Sequence, residues 1–212
     1  MKKKIGIFGG TFNPIHMGHI EIAKSAYEQY HLDEVWFMPN HIPAYKSEDA
    51  IVSGEERLNM VRLAIENLPY CKASDFELKR EGNTYTIDTL KLLKQQYPDD
   101  NFYFIMGADS LFCFDKWRSY EEIPDYAILL IAPRDEKSKQ DVYEKIQLFN
   151  DYFNKECFYL IECQEIPCSS SQIREIIKTE NNQNTEMNSK TDELIFLPEP
   201  VKKYIYSHNL YI

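Results

Sequence analysis

The chain has 212 residues, of which 43% are hydrophobic and 14% aromatic, and its formal net charge is −10. This length and composition predict one domain with a substantial hydrophobic core. The acidic balance argues against a surface for a nucleic-acid polymer or an anionic membrane, because such surfaces carry an excess of Lys and Arg. An anionic small molecule stays compatible with it, provided that positive groups are concentrated at one place.

The cysteines and the N-terminus indicate the compartment in which we expect the protein. Five cysteines without a C-x-x-C pair make a poor disulfide framework and favour reduced thiols. The basic start MKKK precedes an apolar run too short for a signal peptide, and no stretch approaches the roughly 18 apolar residues of a membrane helix. We therefore expect a cytoplasmic protein that does not enter a membrane.

Short apolar runs alternate with amphipathic segments along the chain. In chain order, the predicted strands are KIGIFGG, EVWFMP, CKASDFEL, FYFIMG, AILLIAP and FYLIE. The predicted helices are HIEIAKSAYEQY, the segment from Ser53 to Pro69 with a capping box at Ser53 and Glu56, TYTIDTLKLLKQQYP, SSSQIREIIK and the C-terminal LPEPVKKYIYSHNLYI. FYFIMG and AILLIAP are continuous apolar runs, typical of central strands buried on both faces. The alternation predicts an open, mainly parallel α/β sheet.

Two segments have no hydrophobic period. HIPAYKSEDAIVSG predicts a long loop between a strand and a helix. The polar segment from Thr179 to Glu193 is expected to be a flexible surface insertion. Because neither an internal repeat nor a domain boundary is evident, residues 1–212 are predicted to form a single domain.

The stretch GGTFNPIHMGH, from Gly9 to His19, directly follows the first predicted strand. Ligands of an open parallel sheet bind beyond the carboxyl ends of its strands. Gly9 and Gly10 have no Cβ, so a polyanion could approach the backbone closely. A helix beginning near Met17 or Gly18 would add free N–H groups and a partial positive charge. His16 and His19, spaced i and i+3, would face the same side of that first turn.

We interpret this pair of histidines as donors to a phosphate, with two alternatives. A zinc site would require three or four ligands, and the spacing differs from that of H-E-x-x-H. Packing histidines without a chemical role are the other alternative. The patterns G-x-x-x-x-G-K-[ST] and G-x-G-x-x-G are both absent from this turn, which disfavours a P-loop kinase or a nicotinamide dehydrogenase.

GGTFNPIHMGH resembles the N-terminal signature of the nucleotidylyltransferase superfamily, an HxGH turn on a Rossmann-like sheet with helices on both faces. The motifs PNHIPAYK, NTYTIDTL, GADSLFCFDKW, APR and SSSQIR follow in the order of the bacterial nicotinate mononucleotide adenylyltransferase family. The resemblance extends from Ile5 to the C-terminal LPEPVKKYI. It implies a transfer of the adenylyl group of ATP to nicotinate mononucleotide, with release of pyrophosphate, in NAD biosynthesis.

The resemblance also implies roles for individual residues. Those expected to bind ATP are Gly9, Gly10, Thr11, Phe12, His16, His19, Arg134, Ser169, Ser170 and Arg174. Those expected to bind the mononucleotide are Asn40, Lys46, Thr86, Gly107, Asp109 and Trp117. Catalysis is expected to rest on positioning and charge stabilisation by His16, His19, Lys46 and Arg174. A Mg²⁺ ion bridging the ATP phosphates is implied, with phosphate and water rather than protein as its ligands.

Several of these residues have a purely structural alternative. Ser169 or Ser170 could simply cap a helix, as could Thr86 and Asp109. Trp117 could belong to the core instead of stacking on the pyridine ring of the mononucleotide.

The sequence departs from the family pattern at a few positions. Asn13 stands where Asp is usual, and Ala44 and Tyr45 replace the Pro and His of a loop that commonly reads PPHK. Cys168 stands where an aliphatic residue is usual and is interpreted as a packing replacement. The other functions considered are a different adenylyltransferase of the superfamily, such as the phosphopantetheine enzyme, and a non-catalytic nucleotide-binding module. The sequence leaves open whether the protein is a homo-oligomer.

Overall fold

The computed structural model describes residues 2–41, 51–80, 82–133, 138–182 and 191–212. Within these ranges six strands form one sheet: β1 (Lys4–Gly10), β2 (Glu34–Pro39), β3 (Cys71–Ala73), β4 (Asn101–Gly107), β5 (Ala127–Ala132) and β6 (Phe158–Leu160). Their order in the sheet is β3-β2-β1-β4-β5-β6, and each neighbouring pair is parallel. The predicted open parallel α/β fold is confirmed.

The helices of the described ranges connect these strands. They are α1 (Met17–Tyr30), α2 (Gly54–Ile65), α3 (Thr86–Gln96), α4 (Ala108–Phe112), α5 (Ile123–Tyr126), α6 (Lys139–Phe153), α7 (Ser170–Asn182) and α8 (Glu199–Ser207). Short 3₁₀ turns lie at Phe114–Lys116, Tyr120–Glu122 and Thr191–Phe196. No helix in the described part of the chain is both long enough and apolar enough to cross a bilayer.

The sheet is buried on both faces because its central strands are apolar at nearly every position. In β4, Phe102, Phe104 and Met106 pack on the face covered by α3, α4 and α6. Tyr103 and Ile105 point to the opposite face, which α1, α2, α7 and α8 cover. This alternation follows from the two-residue period of a strand and produces a hydrophobic core on each side of the sheet.

The order of the strands reverses between β1 and β4. From β1 the chain builds outwards to β2 and β3, and then returns to place β4 on the other side of β1. The connections that leave β1 and β4 therefore diverge to opposite sides, and a crevice forms at the carboxyl ends of these two strands. The Gly9–His19 stretch lies at this crevice.

At the amino end of the sheet, Glu34 begins β2 and accepts hydrogen bonds from three side chains. Lys3 Nζ lies 2.7 Å from Oε1, Lys72 Nζ 2.7 Å from Oε2, and Trp36 Nε1 2.8 Å from Oε2. Partial burial acts to raise the pKa of Glu34, but these hydrogen bonds outweigh it and lower the pKa to about 2. This network stabilises the edge of the sheet opposite the crevice.

Several predicted boundaries are wrong. The helix from Ser53 ends at Ile65 and not near Pro69, so Leu68 lies in the following turn. Its predicted cap is present, because Ser53 Oγ accepts the N–H of Glu56 at 3.2 Å. The strand predicted for CKASDFEL is only Cys71–Ala73. This short strand lies at the edge of the sheet, and the N–H of Ser74 directly after it still donates to the carbonyl of Phe37 in β2 at 2.8 Å.

Two further differences concern helices. The predicted insertion does not begin at Thr179, because α7 continues to Asn182, and a 3₁₀ turn starts at Thr191. Residues 183–190 lie outside the described ranges. Helix α6 was not predicted, although its buried residues follow a helical period and Ser138 caps it by accepting the N–H of Asp141 at 3.1 Å.

Candidate active site

The two histidines lie at the start of α1, at the carboxyl end of β1. His16 immediately precedes the helix and His19 lies in its first turn. Their ring centroids are 3.8 Å apart, so they face the same side, as their spacing predicts. The backbone N–H of His16 donates to Nδ1 of His19 at 3.2 Å. Because a backbone N–H can only donate, Nδ1 of His19 accepts and the ring hydrogen of neutral His19 is on Nε2.

The glycines between Gly9 and His19 leave space for aromatic and imidazole side chains. A Cβ on Gly10 would lie 3.0 Å from Cζ of Phe12, and one on Gly9 would lie 3.4 Å from Cζ of Phe104. A Cβ on Gly18 would lie 3.1 Å from Cε1 and Nδ1 of His16. At Gly9 and Gly10 the space left by the missing Cβ is thus filled by aromatic rings. This differs from the predicted reason for these glycines, which was close approach of a polyanion.

A buried arginine that was not predicted holds the turn from behind. Arg57, in α2, is 1% exposed and donates from Nη1 to the carbonyl of Thr11 at 2.8 Å. Its Nη2 donates to the carbonyls of Asn40 at 2.7 Å and His41 at 3.2 Å, and its Nε to that of Val52 at 3.2 Å. Nη1 also lies 3.3 Å from Oδ1 of Asn40. One guanidinium thus joins the turn after β1, the end of β2 and the start of α2.

The other side of the turn is held by α7 and the C-terminus. Arg174 Nη1 donates to the carbonyl of Asn13 at 2.8 Å, and Ser170 Oγ donates to the carbonyl of Pro14 at 2.9 Å. Tyr211 Oη donates to Oδ1 of Asn13 at 2.7 Å, and burial raises the pKa of this phenol. With Thr11 held by Arg57, three carbonyls of the turn are bound to donors. The partial negative charge of these carbonyl oxygens is therefore compensated and repels an anion at the start of α1 less.

The start of α7 lies beside this turn, and one of the two serines predicted as its cap does cap it. Ser169 caps the helix by accepting the N–H of Gln172 at 3.2 Å. Ser170 does not cap it, because its hydroxyl is bound to Pro14. Arg174 is one residue beyond the first turn, and its Nη2 lies 3.3 Å from Oγ of Ser171. Because a guanidinium has five donors, Arg174 retains N–H groups beyond those two bonds.

A cleft lies on the β5 and β6 side of the histidines. It is lined by His16 and Gly18 at the start of α1, by Pro133 after β5, and by residues after β6 that include Gln164 and Cys168. Arg134, predicted to bind ATP, directly follows Pro133 but lies outside the described residues. The cleft adjoins His16, one of the predicted phosphate donors.

The predicted mononucleotide residues lie mainly on the other side of β1, around α3 and the end of β4. Thr86 is the first residue of α3, and Tyr85 rather than Thr86 occupies the capping position. Glu77 holds the approach to this helix, because its carboxylate accepts from Thr84 Oγ1 at 3.0 Å and from Thr89 Oγ1 at 2.7 Å. Burial raises the pKa of Glu77. The sequence analysis assigned no role to this carboxylate.

Trp117 has the core contacts of one of its two interpretations, and its stacking on the pyridine ring of the mononucleotide stays a prediction. It is half-buried and packs edge-on against Phe104, with ring centroids 6.0 Å apart. Since Phe104 underlies Gly9, this contact brings Trp117 towards the β1 turn. The neighbouring Arg118 lies 4.8 Å from the centre of the Tyr85 ring. Trp117 therefore lies in the region of the Thr86 helix start while part of its ring joins the core.

The remaining predicted residues have different positions. Gly107 ends β4, and Asp109 is exposed in the first turn of α4 without being its N-cap. Asn40 follows β2, where its carbonyl and side chain accept from Arg57. Lys46 lies outside the described residues. The structure thus gathers these residues, apart from Lys46, along the carboxyl edge of the sheet.

Comparison with known proteins covers nearly the whole chain. A family model described as cytidylyltransferase-like matches residues 7–176. A protein of Lachnoclostridium phytofermentans named "Probable nicotinate-nucleotide adenylyltransferase" is 41% identical, over 99% of this chain and 100% of its own length. The chain belongs to the nicotinate-nucleotide adenylyltransferase family.

Further members of the nicotinate-nucleotide adenylyltransferase family agree with this assignment. The Bacillus subtilis protein of that name is 37% identical over 99% of this chain and 98% of its own length. The structure of Plasmodium falciparum nicotinic acid mononucleotide adenylyltransferase complexed with NaAD has a TM-score of 0.77 and 25% identity. It covers 99% of this chain and 97% of its own.

Residues that sequence reasoning missed in this member of the family include Arg57, Glu77 and Tyr211. Arg57 lies on the buried face of an amphipathic helix, which is a pattern that could have indicated a bound guanidinium. Glu77 and Tyr211 gave no comparable signal, because their partners are brought to them only by folding.

Proposed function

We propose that the chain transfers the adenylyl group of ATP to nicotinate mononucleotide, giving nicotinate adenine dinucleotide and pyrophosphate. The observation that carries this proposal is the histidine pair at the start of α1, with ring centroids 3.8 Å apart at the reversal point of the sheet. Membership of the nicotinate-nucleotide adenylyltransferase family supports the choice of acceptor.

In this reaction a phosphate oxygen of the mononucleotide attacks the α-phosphorus of ATP. The bond from that phosphorus to the bridging oxygen of the β-phosphate breaks, and its electron pair leaves with pyrophosphate. Because negative charge grows on the leaving group, donors fixed beforehand stabilise the transition state more than the ground state. His16 and His19 supply such donors, and the N-terminus of α1 adds backbone N–H groups.

The two sides of the turn suit the two substrates. ATP would lie along the cleft bordered by His16, Pro133 and Cys168, with Arg174 and the capped start of α7 near its phosphates. The mononucleotide would lie towards Thr86, Asp109 and Trp117, on the side of α3 and β4. The phosphate of the mononucleotide and the triphosphate would then meet at the histidines, where proximity alone contributes much of the rate.

A magnesium ion bound to the ATP phosphates fits this arrangement. Among the described residues, no three or more His, Cys, Asp or Glu side chains are grouped so that they could hold a metal. The edge offers N–H and hydroxyl donors, which suit phosphate oxygens, whereas Mg²⁺ prefers carboxylate, phosphate and water oxygens. Mg²⁺ would neutralise charge on the triphosphate. Lys46 remains a predicted phosphate contact, and Arg134 remains a predicted ATP contact.

The experiment that tests the proposal measures pyrophosphate release with ATP and Mg²⁺ and one acceptor at a time. The acceptors are nicotinate mononucleotide, nicotinamide mononucleotide and phosphopantetheine. We expect the highest kcat/KM with nicotinate mononucleotide and a dinucleotide product in equal amount to pyrophosphate. Faster release with phosphopantetheine would assign the chain to a different adenylyltransferase. No release with any acceptor, from folded protein that binds ATP, would favour a non-catalytic nucleotide-binding module.

A further inference from the structure

The His16 ring contacts a thiol that the proposed reaction does not use. Cys168 Sγ lies 3.2 Å from Nδ1 of His16, across 152 residues of sequence. Both side chains are buried, with 2% of His16 and 8% of Cys168 exposed. Cys168 directly precedes Ser169, the cap of α7, and its own N–H donates to the carbonyl of Ile166 at 2.7 Å. The thiol is therefore held at a defined place beside the ring.

This contact bears on which ring nitrogen of His16 carries the hydrogen. A neutral imidazole has one donor and one acceptor nitrogen, and the partner of one nitrogen determines the role of the other. A thiol can donate its hydrogen to Nδ1, which places the ring hydrogen on Nε2. The opposite tautomer would have to use sulfur as the acceptor, and sulfur is a weak one. An imidazolium would likewise carry a hydrogen on Nε2.

Nδ1 of the neighbouring histidine, His19, also accepts a hydrogen bond, but from a different donor. Nδ1 of His19 accepts the backbone N–H of His16, so neutral His19 also carries its hydrogen on Nε2. The two rings, 3.8 Å apart, then offer like donors to the same phosphate group. With the other tautomer, His16 would present a lone pair at Nε2 and repel a phosphate oxygen.

Packing alone would not select one tautomer of His16. Gly18 leaves space for the His16 ring, since a Cβ there would lie 3.1 Å from the ring and 3.8 Å from Cys168 Sγ. These contacts fix the plane of the ring. The His16 side chain also faces the backbone N–H of His19 in a capping-box arrangement, so the variants at position 168 measure what the thiol adds to the choice of tautomer. An aliphatic side chain at position 168 could fill the same space, yet it has no hydrogen to donate.

We propose that Cys168 is a positioning residue that holds His16 as the tautomer with its hydrogen on Nε2. This inference rests on the proposed function, in which His16 donates to ATP phosphates. Because the donor acts on charge that grows during the reaction, removing the thiol lowers kcat more than it raises KM for ATP. Hydrogen bonds act on the ring in the manner of the outer partners that orient metal-binding histidines.

The test compares three variants of the full-length protein. Cys168→Ser keeps a donor, Cys168→Val fills the space without one, and Cys168→Ala shows the effect of losing volume. We expect kcat to fall about 3- to 10-fold in Cys168→Val, the equivalent of one hydrogen bond, and to be largely restored in Cys168→Ser. Cys157→Ala is the matched control, because Cys157 is also buried but directly precedes β6 and packs in the core on the other face of the sheet.

Nitrogen-15 NMR of histidine-labelled protein gives a readout that does not depend on turnover. The His16 signals are assigned by comparison with His16→Gln. We expect the wild type and Cys168→Ser to show a hydrogen on Nε2 and none on Nδ1, and Cys168→Val and Cys168→Ala to show a mixture. A wild-type ring with its hydrogen on Nδ1 would overturn the inference. So would an unchanged tautomer and an unchanged kcat in both Cys168→Val and Cys168→Ala.

The same measurements separate this inference from the proposed function. If the tautomer changes as expected but no acceptor gives pyrophosphate, the proposed function fails and the positioning of His16 by Cys168 stands. If the wild type releases pyrophosphate with nicotinate mononucleotide but the tautomer of His16 is the same in every variant at position 168, the positioning role fails and the proposed function stands.

Discussion

Replacement of Arg57 tests whether the buried guanidinium holds the phosphate-binding turn. Arg57→Lys keeps the positive charge but replaces five donors in a planar fork by one ammonium group with three. Arg57 serves five acceptor atoms, on Thr11, Asn40, His41 and Val52. An ammonium can serve at most three of them, so at least two acceptors lose their donor.

The magnitude follows from this count. A buried acceptor that loses a charged donor costs about 1–3 kcal/mol, and relaxation recovers part of it, so we expect Arg57→Lys to lower the free energy of unfolding by about 2–4 kcal/mol. Because Arg57 is only 1% exposed, water does not replace the lost donors freely. Displacement of the Thr11 carbonyl moves the turn, and a shift of about 1 Å at a reacting group can cost about 100-fold in rate.

Urea unfolding followed by circular dichroism measures the first effect, and kcat/KM for pyrophosphate release measures the second. Arg62→Lys is the matched control on the same helix. Arg62 is exposed and its Nη1 makes a hydrogen bond to Asn59 Oδ1 at 3.0 Å, so we expect a change within about 0.5 kcal/mol. An Arg57→Lys protein as stable as this control, with unchanged kcat/KM, would refute the reasoning.

Three further predictions concern the site and the opposite edge of the sheet. His19→Ala should lower kcat about 100-fold or more in the pyrophosphate assay, as loss of a preorganised donor does. Wild-type turnover in this variant would refute the role of His19. The control is His31→Asn, because His31 is exposed at the C-terminal end of α1 and has a φ of 51°. Trp117→Ala should raise KM for the mononucleotide while KM for ATP is nearly kept, whereas equal losses for both substrates or unfolding would favour a core role. Glu34→Gln should lower the free energy of unfolding at pH 7 by about 1–2 kcal/mol, a value reduced for the exposure of its lysine partners. Since the pKa of Glu34 is lowered from 4.5 to about 2, its contribution is present above pH 4.5 and is lost as the pH falls towards 2, so urea unfolding at pH 7 and pH 2 should show the difference shrinking. Exposed Glu28→Gln is the comparison, and a difference that does not depend on pH would contradict the assignment.

Patterns that act within a few residues were predicted well. The Ser53 cap, the start of α1 at Met17 and the meeting of His16 with His19 depend on neighbours in the chain, so the local sequence is enough to specify them. The helical period of α6 is present in the sequence as well, so this helix was predictable from local pattern. The end of α2 was misjudged because Leu68 continues the helical period beyond the last helical residue.

The sequence by itself determined that the chain forms a parallel α/β sheet and that two histidines lie at its carboxyl edge. These features follow from hydrophobic period, turn residues and i, i+3 spacing, which are local properties of the chain. Only the tertiary structure decided which side chains hold that turn. The contacts of Arg57 with Thr11, of Tyr211 with Asn13 and of Cys168 with His16 join residues 46, 198 and 152 positions apart. Such pairs leave no periodic signal, because they form only when separate elements have packed on the same sheet.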